Sequence, residues 1–427
     1  MAPHRNYIHR ILDDELDELM AVLPAIAIEG AKGVGKTETA SKRSRTVREL
    51  DESPQLEALA ADPARILTDE PPVLIDEWQR LPEIWDRVRR AVDSGIEPGR
   101  LLLTGSASPA QPGTHSGAGR IVSVHMRPMS LAERHPGVPR IGLGALLEGG
   151  KPDLHGTSKF DLGEYTDEIL ASGFPGLRHL EGRGLRAQLE GYVRRIVDRD
   201  FPELGLTPRN PTALKRWMTA YAAATSTTTS WEKIRDAASD GSQGSPAKST
   251  AIPYRDVLER LWVLDPVPGW KPGRSSLGRL TLTPKHHLVD PALAASLLGS
   301  TRGSLLAGES SGPGIPRDGT LLGSLFESLV TQSVRTYCQS AEARIGHLRT
   351  YAGRQEVDLI AERADGRVVA IEVKLAASVN DRDVRHIKWL RDEIGEDFLD
   401  GIVVTTGTEA YRRSDGIGVI PALLLGP

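Results

Sequence analysis

The sequence predicts an α/β protein in three parts: a parallel-sheet domain first, a mainly helical middle, and a second, smaller α/β domain at the C-terminal end. Three observations predict this. Short apolar runs of strand length alternate with helical segments over the first 130 residues or so, the pattern of strands joined by crossover helices. Residues 164–222 carry apolar positions at helical spacing. Beyond a Gly/Ser/Pro-rich stretch at 299–319, helix, strands and helix recur up to residue 427. A chain of this length accommodates about two to four domains.

The first segment, residues 1–23, reads as a helix on Leu12, Leu16, Leu19 and Leu23, ended by Pro24. Ala25–Ile28 is a buried strand. A glycine-rich turn follows, then a polar helix from Lys36 to about Leu50. Pro72–Ile75 is a second strand that runs into acid, Trp85–Val92 a helix, and Leu101–Leu103 a third strand broken at Thr104-Gly105-Ser106. After a Gly/Pro/Ser-rich loop at 108–119, Ile121–Val124 resumes strand character. A boundary is expected within 136–160. The expected domains are therefore 1–140, 160–298 and 320–427. Within the middle one, residues 225–265 outline a winged helix: helix, loop, helix, and a strand-like Leu261–Leu264. The last domain is expected as helix 321–338, strand-turn-strand 345–374, helix 381–394 and strand 401–406.

Composition narrows the class. Hydrophobic residues make up 39% and charged residues 26%, the balance of a globular chain. No apolar run reaches the roughly 20 residues that cross a bilayer, and the charged N-terminal segment lacks a signal-peptide core; the expectation is a cytoplasmic protein without membrane contact. Cys338 is the single cysteine, which excludes a disulfide framework and a thiolate metal site. No HExxH occurs. A net charge of -4 argues against constitutive nucleic-acid binding by the whole chain but leaves a local basic face open. Lysine is scarce, 12 against 41 arginines, so a lysine at a motif position is informative.

Gly30-Ala31-Lys32-Gly33-Val34-Gly35-Lys36-Thr37 meets every fixed position of GxxxxGK[ST], between an apolar strand and a helix. That context defines a phosphate-binding P-loop, or Walker A motif. Glycines let the backbone wrap closely, loop N–H groups point inward, and the helix N-terminus adds positive potential. Lys36 would reach the β- and γ-phosphates of ATP, and the Thr37 hydroxyl would ligate Mg²⁺. Val73–Glu77 supplies a Walker B strand, with Asp76 as metal residue and Glu77 as candidate base for the attacking water. Thr104 and Ser106 follow the next strand, where a polar side chain could face the γ-phosphate. Arg120, after Gly119, is a candidate arginine finger or in-cis sensor. No Asn precedes a Lys in the chain, which excludes the NKxD guanine motif and favours adenine.

These residues resemble a known group. The run GAKGVGKT, then PPVLIDEWQRLPEIWDRVRRAVD, RLLLTGS and GAGRIVSVHMRPMSLAER, is similar to bacterial and archaeal AAA-type ATPases that carry a C-terminal domain of unknown function. Gly173–Gly176, Tyr192–Asp200, Tyr254–Glu259 and Gly323–Leu329 resemble later landmarks of that group. The resemblance implies an AAA-type ATP site, a winged-helix middle, and no particular pathway. The long loop 239–251 and Pro253 depart from a tight helix-turn-helix, Pro253 being expected to interrupt its second helix.

A second constellation lies near the C-terminus. Glu356–Ile360 and Ala370–Lys374 resemble the PD-(D/E)xK core of restriction-endonuclease-like domains, with an Asp ending one strand and Glu-x-Lys on the next. Alternation places Glu372 and Lys374 on one strand face. Asp358 and Glu372 could share Mg²⁺, Lys374 could orient water, and Glu327 stands where such nucleases keep another acid. The same residues are equally compatible with an ion pair on an ordinary strand. Three functions stay open: an ATPase acting on or gated by DNA; an ATP-dependent binding switch, homo-oligomeric or docking a protein partner, with an inactive nuclease-like domain; and an ATP-regulated, Mg²⁺-dependent nuclease.

Overall fold

In the computed structural model the apolar runs of the N-terminal part are strands of one sheet. The structure describes residues 7–105, 119–138, 140–206, 210–239, 247–273, 279, 282–309, 312–317, 319–350 and 353–427. The chain divides into two compact units. The first comprises residues up to Pro128 with Phe174–Gly176 and Arg260–Val263; the second comprises the rest. The middle and C-terminal segments, expected as separate domains, thus fall in one unit.

In the first unit, α1 (Ile11–Met20) leads to β1 (Ala25–Glu29), α2 (Lys36–Ser41), β2 (Thr46–Glu49), α3 (Ser53–Ala61), α4 (Arg65–Thr68), β3 (Val73–Asp76), α5 (Glu83–Asp93), β4 (Leu101–Gly105) and β5 (Val122–His125). The sheet is parallel throughout, in the order β2-β3-β4-β1-β5. Helices cover both faces of such a sheet, so its strands are apolar on both sides. Ala25, Ala27, Val73, Ile75, Leu101 and Leu103 form one core with Leu59, Ile66, Trp85 and Val88. Ile26, Ile28, Leu74 and Leu102, on the alternate positions, are equally buried.

Two expectations are corrected here. The helix at Lys36 ends at Ser41, not near Leu50. Thr46–Glu49 instead forms the edge strand β2, paired with β3 from Thr46↔Val73 to Glu49↔Asp76, because consecutive β-branched Thr46 and Val47 suit a pleated surface better than a helix. The N-terminal helix is shorter than 1–23, spanning Ile11–Met20.

The second unit contains a mixed seven-stranded sheet. β6 (Ile141–Gly142) pairs separately with β14 (Leu425–Gly426). The large sheet runs β12 (Tyr411–Arg412), β13 (Gly418–Pro421), β11 (Phe398–Thr405), β10 (Val368–Lys374), β9 (Glu356–Glu362), β8 (Arg344–Arg349), β7 (Gly269–Trp270). Neighbours β8, β9 and β10 are antiparallel, whereas β10 and β11 are parallel, joined through the helix Arg385–Ile394. Ile387 and Leu390 of that helix pack on Val357, Val368, Ala370 and Val403. The helix Leu321–Ser340, buried along most of its length, packs against β8, β10 and the helix Leu162–Leu170.

The segment 345–374, expected as two strands, holds three. Leu261–Leu264 is not a strand: only Leu264 makes an isolated bridge, to Leu288, and Trp262 takes a left-handed conformation, φ 58°. Pro253 does not interrupt its helix. Lys248–Arg260 is continuous, because a proline this near the first turn deprives only the Ser249 carbonyl of a donor. The stretch 299–319 includes the short helix Arg302–Leu306, capped by Thr301. No helix of the described residues is long and apolar enough to cross a membrane.

Candidate functional site

The strand order places β4 between β1 and β3, so the loop after β1 and the acids after β3 meet at the C-terminal edge, with Thr104 between them. Ligand sites of open parallel sheets form at this edge. The loop itself demands glycine. A Cβ on Gly30 would stand 2.2 Å from the Met126 carbonyl oxygen, and Gly35 precedes α2 at φ 104°, a conformation that side chains resist.

Lys36 is 7% exposed, and its ammonium donates to the carbonyls of Gly30, 2.7 Å, and Ala31, 2.9 Å. Burial pushes its pKa down to about 8, against the opposing pull of Glu77 and Asp76. The Thr37 hydroxyl donates to Asp76 Oδ1 at 2.9 Å, and the Thr104 hydroxyl donates to the same oxygen. Asp76 is therefore held from α2 and from β4 at once. Glu77 leaves the strand in the left-handed region, φ 54°, and its Oε2 accepts from the Gln79 amide. The structure thus brings Lys36, Thr37, Asp76 and Thr104 together. Arg120 Nε pairs with Asp93 Oδ1 at 2.7 Å, both groups partly exposed. Ser106 lies outside the described residues.

Sequence reasoning missed Arg10. It is 3% exposed and donates to the Val34 carbonyl at 2.8 Å and the Arg127 carbonyl at 2.7 Å, pinning the P-loop from α1's N-terminus. In a chain with 41 arginines, nothing local distinguishes it. Phe174 and Pro175 also lie against the loop, near Gly33 and Gly35.

In the second unit, Glu327, Asp358, Glu372 and Lys374 do converge, on a cleft of about 930 Å³. Asp358 sits near the start of β9 rather than at a strand end, and antiparallel pairing brings it beside β10, where its Oδ2 accepts the Val373 N–H at 2.9 Å. Lys374 Nζ lies 2.7 Å from Glu372 Oε1. Burial, reinforced by Asp358, pushes the Glu372 carboxyl up to about 8; burial does the same to Glu327. The unforeseen member is Lys285, 1% exposed. Its ammonium lies 2.8 Å from Glu327 Oε1, 2.9 Å from Asp358 Oδ1 and 3.7 Å from Glu356 Oε1. Lysine scarcity was the only signal that could have found it.

Comparisons with known proteins divide the chain similarly. Residues 23–135 match the AAA domain family. Residues 162–304 match a domain of unknown function (DUF8612), and residues 322–425 another (DUF4143). Uncharacterized protein Rv2008c of Mycobacterium tuberculosis and uncharacterized protein Mb2031c of Mycobacterium bovis are each 25% identical over 288 residues, 65% of this chain and 56% of theirs. The chain thus spans about half the length of these curated relatives. Among solved structures, the Walker-type ATPase PABY2304 of Pyrococcus abyssi aligns with a TM-score of 0.39 and 16% identity, over 69% of this chain and 97% of that one. The N-terminal unit is a parallel-sheet α/β domain that resembles a P-loop ATPase in its motif and sheet, and its residues 23–135 match the AAA domain.

Proposed function

We propose that this chain binds ATP with Mg²⁺ and hydrolyses it, residues 1–140 forming the nucleotide domain. The observation that carries the reading is the double hold on Asp76 Oδ1 by Thr37 and Thr104. The residues fit Mg²⁺: Thr37 and Asp76, a hydroxyl and a carboxylate in contact beside a loop built for phosphates, would hold the ion. The ion's contribution would be to neutralise charge on the β- and γ-phosphates. Backbone N–H groups of Gly30–Thr37 bind the phosphates, and the Lys36 ammonium exchanges its carbonyl partners for phosphate oxygens. Glu77 accepts a proton from the attacking water, with Gln79 orienting its carboxylate. Arg120 would act in trans, which requires a homo-oligomer.

The second unit is read as a winged-helix-like middle, 160–298, and a nuclease-like domain, 320–427. Helix Leu321–Ser340, β8, β9, β10, helix Arg385–Ile394 and β11 follow the order expected of the latter. Lys285 among its acids favours a binding role over cleavage, with DNA as partner.

The test is nucleotide binding by Lys36→Ala, followed by hydrolysis with and without single- and double-stranded DNA. The reading expects no ATP binding by the variant and faster turnover of the parent protein on DNA. Undiminished ATP affinity in Lys36→Ala would overturn the site; turnover indifferent to DNA would point to a protein partner.

A further inference from the structure

The floor of the second unit's cleft is built around a cation that belongs to the chain. Lys285 lies in a backbone bridge, exchanging hydrogen bonds with Val267 at 2.9 and 2.8 Å, so its side chain starts from a fixed point. The ammonium is buried and bonded to Glu327 and Asp358, and a buried charge with two carboxylate partners is costly to displace.

The Mg²⁺ that the Glu-x-Lys resemblance implies does not fit here. Such an ion takes oxygen ligands at about 2.1 Å, and the place between Glu327 and Asp358 is already held by the Lys285 ammonium. Asp358 Oδ1 accepts from Lys285 and its Oδ2 from the Val373 N–H. Glu372 Oε1 accepts from Lys374, which leaves Glu372 Oε2, buried and without a hydrogen-bond partner among the described residues. A divalent ion on these carboxylates would have to displace that fixed ammonium or sit against it. Among the described residues, no three His, Cys, Asp or Glu side chains are grouped to hold a metal.

The mouth of the cleft is basic. Lys233, Arg382 and Arg385 line it and are exposed. Arg317 also lines it, with a buried Nη1 that has no partner among the described residues. These groups come from three separate stretches of chain, and Thr227, Thr228 and Thr229 line the same cleft, as does Asp383. Cations distributed around an opening this wide suit a run of phosphates better than a single anion. The floor carboxylates would repel such a strand, and Lys285 offsets them.

We propose that this cleft is a metal-independent binding site for a phosphodiester strand, in which Lys285 is the resident cation of the floor. The strand is bound and not cut, since the Lys285 ammonium stands between the carboxylates where a water-activating divalent ion would have to sit. The inference rests on the reading of DNA as partner, and the binding step itself needs no ATP.

The test uses the full chain without nucleotide and a fluorescently labelled single-stranded oligonucleotide, followed by anisotropy in EDTA and then in Mg²⁺, with the oligonucleotide afterwards run on a gel. Binding is expected in EDTA, with no strengthening by Mg²⁺ and no cleavage. Arg382→Glu with Arg385→Glu, both on the surface, should weaken it by about tenfold or more and flatten its salt dependence. Mn²⁺ titrated against the nucleotide-free protein should show no tight site by electron paramagnetic resonance; Lys285→Met, once shown folded by circular dichroism, should lose affinity in EDTA. Binding that requires Mg²⁺, cleavage, tight Mn²⁺ uptake, or an affinity untouched by the double reversal would each overturn the proposal. Loss of ATP binding in Lys36→Ala should leave all of these readings unchanged.

Discussion

Thr37 donates its hydroxyl to Asp76 Oδ1 across 2.9 Å, joining the first turn of α2 to the end of β3. Thr104 reaches the same oxygen from β4, so the carboxylate has little freedom to turn. Thr104→Val removes that restraint while keeping the side chain's shape. The expected result is an ATPase rate lowered by about 10–100-fold, as for other partners of a metal-holding group. Steady-state hydrolysis measured beside a thermal melt checks it; an unchanged rate would mean that Thr104 only packs the sheet.

Gly30 has Met126 O in the way of any side chain. Gly30→Ala should destabilise the first unit by roughly 2–4 kcal/mol, combining backbone strain with overpacking, and should abolish ATP binding in whatever folds. Chemical denaturation measures the first part. A variant as stable as the parent would show that the loop approaches β5 less closely.

Arg10 ties the P-loop to α1 through the Val34 and Arg127 carbonyls. Hydrogen bonds from a charged donor contribute about 1.5–3 kcal/mol each, so Arg10→Ala should cost stability on that scale and weaken ATP binding without touching the nucleotide's own ligands. Calorimetric titration with ATP would reveal it. Full affinity in the variant would confine Arg10 to a structural role.

In the second unit, burial alone would raise the Glu168 carboxyl, but His135, Arg178 and Arg134 hold it well below its usual range. A depressed carboxyl contributes stability that is present above its unfolded pKa and fades as pH falls through the folded one. Arg134, whose side chain is fully buried, depends on this partner. Glu168→Gln should cost about 3–5 kcal/mol by removing the carboxylate paired with that buried arginine, which keeps only the charge of Asp290 to offset its own. Denaturant titration is the measurement, and a loss below about 1 kcal/mol would contradict the assignment.

Histidine burial sets a second pH response. Burial pushes His286 and His347 down to about 4, and each ring donates from Nε2 to a carbonyl, of Thr229 and Thr283 respectively. An unfolded histidine titrates near 6.5, roughly its ordinary value. Between about pH 6.5 and 4 the unfolded chain takes up protons that the folded chain refuses, so stability falls with acidification, by up to about 1.4 kcal/mol per pH unit for each group. Thermal melts across this window should show it, and His347→Gln should flatten the slope. A melting temperature constant from pH 7 to 5 would refute it.

The ATP site was legible because its signal is local: eight consecutive residues and a strand ending in two acids carry most of it. Glu327, Asp358, Glu372 and Lys374 were legible as a pattern, since strand alternation alone sets Glu372 beside Lys374. β2 was not, because a half-buried edge strand with Val47 as its single aliphatic residue has almost no hydrophobic signature. Lys285 and Arg10 were not either. Their roles depend on partners 24 to 117 residues away in sequence, and no spacing rule connects such positions. Leu261–Leu264 reads as a strand by composition, yet the turn at Trp262 takes precedence over propensity.

The most direct test of the central claim is phosphate release from ATP by the purified chain with Mg²⁺, set beside Glu77→Gln. The account predicts Mg²⁺-dependent turnover in the parent protein. In the variant it predicts retained ATP binding with turnover lowered by about 10²–10⁴-fold, the contribution of a positioned base. Equal turnover in both proteins, or none in the parent under any condition that supports ATP binding, would contradict it.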